Sequence, residues 1–195
     1  MNTTIRMAAL AVLMVVAGGC SQKDPAQEAI SAAEGALAAV YEDAQKYVPE
    51  RYAEVKSQLE SARAAFNEER YADAIAAVKD VPAHAEELAS ASLEAKQKRI
   101  AELNADWTRL SGSLPGLVGG IESRLVELGK MRKLPKGMDK QLLEEASAAF
   151  GSVKGAWDEA SLSFAAGDLE AAVGKARDVE AMAQDLAGRL GMQAG

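Results

Sequence analysis

The spacing of the apolar residues restricts this chain more than any other feature. Ile30, Ala33, Leu37, Val40, Ala44 and Tyr47 recur three and four positions apart, and so do Tyr52, Val55, Leu59, Ala62 and Phe66. A period near 3.6 gathers such residues onto one stripe of an α-helix, whereas a half-buried strand needs strict alternation. The same spacing returns in Ile100, Leu103, Trp107 and Leu110, and again in Leu143, Ala146, Phe150, Val153, Trp157, Ala160 and Phe164. These are the a and d positions of heptads, as in coiled-coil packing. Composition points the same way, because 41 alanines against 5 prolines raise helix propensity throughout and 5 % aromatic residues leave a core of small side chains. The expected fold is all-α: an elongated bundle of long antiparallel helices in two similar helical-hairpin halves.

Punctuation residues divide the pattern. Asp24, Pro25 and Gln27 form a helix start, with Asp24 as the expected cap. Pro49 separates the first helix from the second. The polar run Asn67-Glu68-Glu69-Arg70 precedes a third helix expected to run from Tyr71 to Leu110, about 40 residues or roughly 60 Å. Gly112, Pro115, Gly116, Gly119 and Gly120 crowd one stretch, which reads as a hinge over 112–120. A short helix from Leu117 to Met131 follows, and Leu134-Pro135-Lys136-Gly137 forms another break. The halves are thus 24–111 and 121–195.

A gapless shift of 98 positions lays Glu50–Ser90 on Ala148–Gly188 with 11 of 41 pairs identical, among them Val55/Val153, Phe66/Phe164, Asp80/Asp178, Val81/Val179 and Leu88/Leu186. Alanine-rich amphipathic helices share residues by composition alone, so the match suggests duplication without proving it. Pro82 falls opposite Glu180, inside an uninterrupted helical pattern. On that alignment Pro82 kinks a continuous helix rather than ending it. The run Phe164-Ala165-Ala166-Gly167-Asp168-Leu169 through Ala172 resembles the helix-turn-helix joint of tetratricopeptide repeats. The resemblance implies that Gly167 closes one helix and Asp168 caps the next. Alanine-rich hairpins with this turn also resemble those of uncharacterised envelope lipoproteins.

The N-terminus addresses the chain. Arg6 precedes an apolar run from Met7 to Ala17, too short for the roughly 20 residues of a membrane-spanning helix and of the length of a signal peptide. Ala17-Gly18-Gly19-Cys20 ends that run on the chain's only cysteine and resembles the lipobox of bacterial lipoproteins. The resemblance implies removal of residues 1–19 and acylation of Cys20, with 20–23 as a short tether. Two or three acyl chains, at about 0.8 kcal/mol per buried CH₂, anchor a protein essentially permanently. In that family an aspartate after the cysteine retains the product at the inner membrane; Ser21 stands there instead, which implies the periplasmic leaflet of the outer membrane.

The side chains that carry chemistry are sparse. One Cys and one His supply no thiolate or imidazole cage and no Cys-His nucleophile with spares, so no cofactor, metal or catalysis is expected. His84-x-x-Glu87, Glu86/Glu87 and Glu144/Glu145 read as solvated helix faces. A net charge of -7 leaves no basic stripe for nucleic acid. One local exception is the cluster Lys130, Arg132, Lys133, Lys136 and Lys140, which complements a helix C-terminus or meets an anionic lipid or polymer. Trp107 and Trp157 are expected to fill core. These features fit a lipid-anchored scaffold or adaptor that binds another envelope protein. The competing class is a carrier or sensor of an apolar ligand, with Trp107, Leu110, Leu117 and Trp157 lining a pocket between the halves.

Overall fold

The computed structural model describes residues 22–192, and the structural statements below concern those residues. Six helices follow one another: α1 (Lys23–Tyr47), α2 (Pro49–Asn67), α3 (Tyr71–Val78), α4 (Val81–Lys130), α5 (Lys140–Ala165) and α6 (Leu169–Arg189). No strand occurs among the described residues, so the fold is all-α. The chain divides into two compact units between Gln97 and Lys98. The expected hairpin is completed in the second unit by a third helix and in the first by α3 and the beginning of α4.

In the first unit α1, α2, α3 and the beginning of α4 close on one core. Ile30, Leu37, Val55, Leu59, Val78, Val81 and Leu88 are its larger members, and Ala26, Ala33, Ala44, Ala62 and Ala74 fill the remaining seam. Alanine on facing stripes needs little space, so the helices meet over many turns with few bulky side chains. The corner between α1 and α2 is a single residue. Val48 donates its N–H to the Ala44 carbonyl and accepts from Tyr52, while Pro49 opens α2. A residue before proline is pushed out of the helical region, which is why α1 stops at Tyr47.

The second unit is built from residues 98–130 of α4 with α5 and α6. Leu103, Leu110, Leu114, Ile121 and Leu128 project from α4 into a core shared with Phe150, Val153, Val173, Val179, Leu186 and Leu190. The middle of the cleanest heptad stripe forms as expected: Ala146, Phe150, Val153 and Ala160 are buried along α5, Leu143 and Trp157 are partly buried and Phe164 is exposed. Three ion pairs join α4 to α6, Arg99–Glu170, Arg109–Glu180 and Arg177–Asp106. All three partners are separated by 71 positions, the signature of parallel neighbours in register. α5 returns between them in the opposite direction, with Lys175 reaching Glu159 at 3.1 Å and Arg189 reaching Glu145 at 3.8 Å.

Three expectations are corrected. Pro82 does not kink a continuous helix: α3 ends at Val78, Lys79 and Asp80 form a turn, and α4 starts afresh at Val81. Proline has no N–H to give the Val78 carbonyl but fits the first turn of a new helix, where no such bond is required. The Gly/Pro-rich stretch 112–120 is not a break either; it lies inside α4, as does the expected short helix from Leu117. Gly112, Pro115, Gly116 and Gly119 sit on the exposed side, while Leu110, Leu114, Ile121 and Leu128 are buried on the other. Burying such side chains contributes about 1.5–3 kcal/mol each, enough to offset about 1 kcal/mol per glycine and about 3 for the proline. Asp24, finally, is not a cap: α1 begins at Lys23 after Gln22, with no side-chain cap bond.

Candidate functional site

Cys20 and the signal-like segment lie outside the described residues. No helix among the described residues is long and apolar enough to cross a membrane. The five cations are all in view. Lys130 is the last residue of α4, Arg132, Lys133 and Lys136 lie in the connection, and Lys140 opens α5. Each is exposed.

The connection that carries them has a defined shape. Leu134 and Met138 pack against the core of the second unit. Met131 donates its N–H to the Leu128 carbonyl and Met138 donates to Pro135. Gly137 takes a φ of +89°, a left-handed conformation that an L side chain rarely adopts. Asp139 then caps α5, its carboxylate accepting the Leu142 N–H at 2.8 Å. The one acid in the segment is thereby engaged with the backbone.

A second surface feature was only half legible. Trp107 on α4 stacks against Trp157 on α5, with ring centroids 5.8 Å apart, and against Phe164, 4.4 Å away and 9° from parallel. The core-filling expectation holds in part: both indoles are half-buried and pack against the core of the second unit, while Phe164 is 43 % exposed. Ile100, one heptad before Trp107 on α4, is also exposed. The seven-residue step from Trp157 to Phe164 was the available signal; that Trp107 slots between them depends on how α4 pairs with α5.

The four residues expected to line a ligand pocket lie together in one unit. Trp107, Leu110, Leu117 and Trp157 all belong to the second unit. Leu110 is fully buried in its core, Leu117 packs against that core, and the indoles stack on each other. A groove of about 490 Å³ instead lies in the first unit, lined by Ala38 to Asp43 with Ala89 and Lys96. Its one cation is already engaged, since Lys96 donates to Asp43 at 3.1 Å and lies 5.8 Å above the Tyr47 ring.

Three of the remaining ionisable candidates are tied to neighbours, and Glu86 and Glu144 are exposed on their helices. His84 Nδ1 lies 3.2 Å from Gln58 Oε1, and Glu87 lies 3.8 Å from Arg51. Glu145 accepts from Gln141 and faces Arg189. No three His, Cys, Asp or Glu side chains among the described residues group as a metal site would require. The clearest perturbed acid is Glu180, whose carboxyl is held below its ordinary value by the hydrogen bond from Arg109, against an opposing effect of burial. That pair straps α4 to α6. Compared with known proteins, the chain matches no family model, no curated protein and no solved structure.

Proposed function

We propose that this chain is a lipid-anchored helical adaptor of the bacterial cell envelope, binding another protein without catalysing a reaction. Acyl chains on Cys20 hold it at the periplasmic leaflet of the outer membrane. The observation that supports protein binding is the open aromatic stack of Trp157, Trp107 and Phe164 with Ile100 beside it. Aromatic rings offer large, rigid contact area at low entropic cost and dominate the energetics of protein interfaces. A partner helix laid along α4 and α5 would cover them.

The test uses a photo-crosslinking residue at Ile100 in intact cells. A discrete cross-linked protein is expected, and it disappears when Trp157→Ala and Phe164→Ala are combined. Absence of any discrete product, or indifference to those substitutions, refutes the adaptor surface. The anchor is tested separately: Cys20→Ser is expected to move the protein from the membrane to the soluble fraction, and retention in the membrane refutes lipidation.

A further inference from the structure

The two units turn the same corner in different ways. In the first, Val48 alone joins α1 to α2; in the second, residues 131–139 join α4 to α5. The fold can make this corner with one residue, so the longer connection answers some other need. That connection and its two flanking residues carry five cations and one acid, a local charge of +4 in a chain whose remaining residues sum to -11. Charge has been concentrated where the backbone has been lengthened.

Three observations separate these cations from the others. At least twelve of the sixteen other lysines and arginines among the described residues stand in ion pairs. None of the five is paired with a described residue. Of the nearby acids, Glu127 is engaged by Arg124 and Glu145 by Arg189, while Glu144 lies one turn beyond Lys140 on α5 and pairs with none of the five. Helix dipoles account for only part of the cluster: Lys130 and Arg132 suit the C-terminal end of α4, but Lys136 and Lys140 sit at the N-terminal end of α5, where a cation is unfavourable. Helices α1, α2, α3 and α6 place Asp24, Glu50, Asp73 and Glu170 in their first turns, whereas α5, like α4, has no acid there beyond its Asp139 cap. Apolar side chains flank the charges, with Val126 50 % and Met131 42 % exposed.

We propose that the α4–α5 connection docks on the anionic headgroups of a lipid bilayer. A bilayer offers both anionic phosphates for the cations and an apolar layer beneath them for Met131 and Val126, the combination that interfacial segments use. A long polyanion such as nucleic acid offers no apolar layer and meets net negative charge beyond the patch. The proposal makes no use of Cys20 and stands or falls apart from the lipid anchor and from the adaptor surface.

The experiment uses the unacylated chain from Ser21 onward, which retains all six helices and both cores. It is floated with vesicles of phosphatidylethanolamine containing phosphatidylglycerol, and with phosphatidylcholine alone. Binding is expected only to the first and weakens as salt is raised. At roughly five-fold per cation, Arg132→Gln, Lys133→Gln, Lys136→Gln and Lys140→Gln together lower partitioning roughly several hundred-fold. Lys79→Gln with Lys98→Gln, exposed cations elsewhere, leave it unchanged. All these side chains are exposed, so an unaltered circular dichroism spectrum is expected for both variants. Equal binding to both vesicles, indifference to the four substitutions, or capture by heparin without vesicle binding overturns the proposal.

Discussion

Adding 98 to the residue numbers at the end of α2 and the start of α3 gives the end of α5 and the start of α6: Asn67 becomes Ala165 and Tyr71 becomes Leu169. Hydrogen bonds transfer with them. Glu69 donates to Phe66 and Arg70 to Ala65, as Gly167 donates to Phe164 and Asp168 to Ser163. Both joints are the same helix ending, in which one left-handed residue redirects the chain. Buried positions transfer too, including Val55/Val153, Ala62/Ala160, Ala74/Ala172, Val81/Val179, Ala85/Ala183 and Leu88/Leu186. For α1 and the second unit's part of α4 the offset is 84, pairing Ala26/Leu110, Ile30/Leu114, Leu37/Ile121 and Ala44/Leu128, all buried. The change of offset is absorbed where Val48 gives way to the connection 131–139 together with the first two turns of α5. What the two units share is what they bury and the α2–α3 or α5–α6 joint; they differ at the other joint and on their surfaces, where change costs least and where interactions with other molecules occur.

The comparison breaks most directly in the cores. Leu88→Ala and Leu186→Ala, equivalent and almost fully buried, are each expected to cost about 2–5 kcal/mol in urea denaturation. A loss below about 1 kcal/mol at either site would show that the equivalence is only geometric. The joints sharpen it. Glu69 takes a φ of 61° where its counterpart Gly167 takes 82°. Gly167→Glu should therefore cost about 1–2 kcal/mol, and Glu69→Gly should raise stability by up to about 1 kcal/mol. Identical signs for the two changes would refute the shared ending.

Ser92 is the counterpart of Leu190, and both are buried, but the Ser92 hydroxyl has no hydrogen-bond partner. Ser92→Ala is expected to raise the melting temperature through a gain of about 1 kcal/mol, because an unsatisfied hydroxyl leaves the core. The smallest effect is electrostatic and belongs to the second unit alone, since Glu180 corresponds to Pro82. Its carboxyl is depressed by Arg109, so the strap's contribution is complete above the ordinary carboxylate range and is lost as pH falls through the depressed value. The stability difference between the wild type and Glu180→Gln should shrink on acidification below about pH 4. A difference that grows in acid would reverse the assignment.

Much of this was legible along the chain. Period and alanine content gave the all-α class and the stripe from Ala146 to Ala160, because helical periodicity is a local consequence of which residues seek burial, and Pro135 with Gly137 gave the break between α4 and α5. The turn at Gly167 and Asp168 was also readable, since left-handed glycine and a capping carboxylate act within a few residues. Pro82 misled because its alignment with Glu180 weighed sequence similarity above the missing N–H. Phe164 was placed in the stripe, but its stacking on Trp107 joins residues 57 apart.

The sequence by itself determined where helices are favoured and which side of each is apolar, for those preferences are settled within a turn or two of backbone. Only the tertiary structure decided that α4 runs unbroken through Gly112 to Gly120. Burial of Leu110, Leu114 and Ile121 against α5 and α6 supplies free energy that no local propensity contains. Only the structure, too, separated cations held in ion pairs from those left open on the α4–α5 connection, because a charge's partner is chosen by helices meeting across the fold.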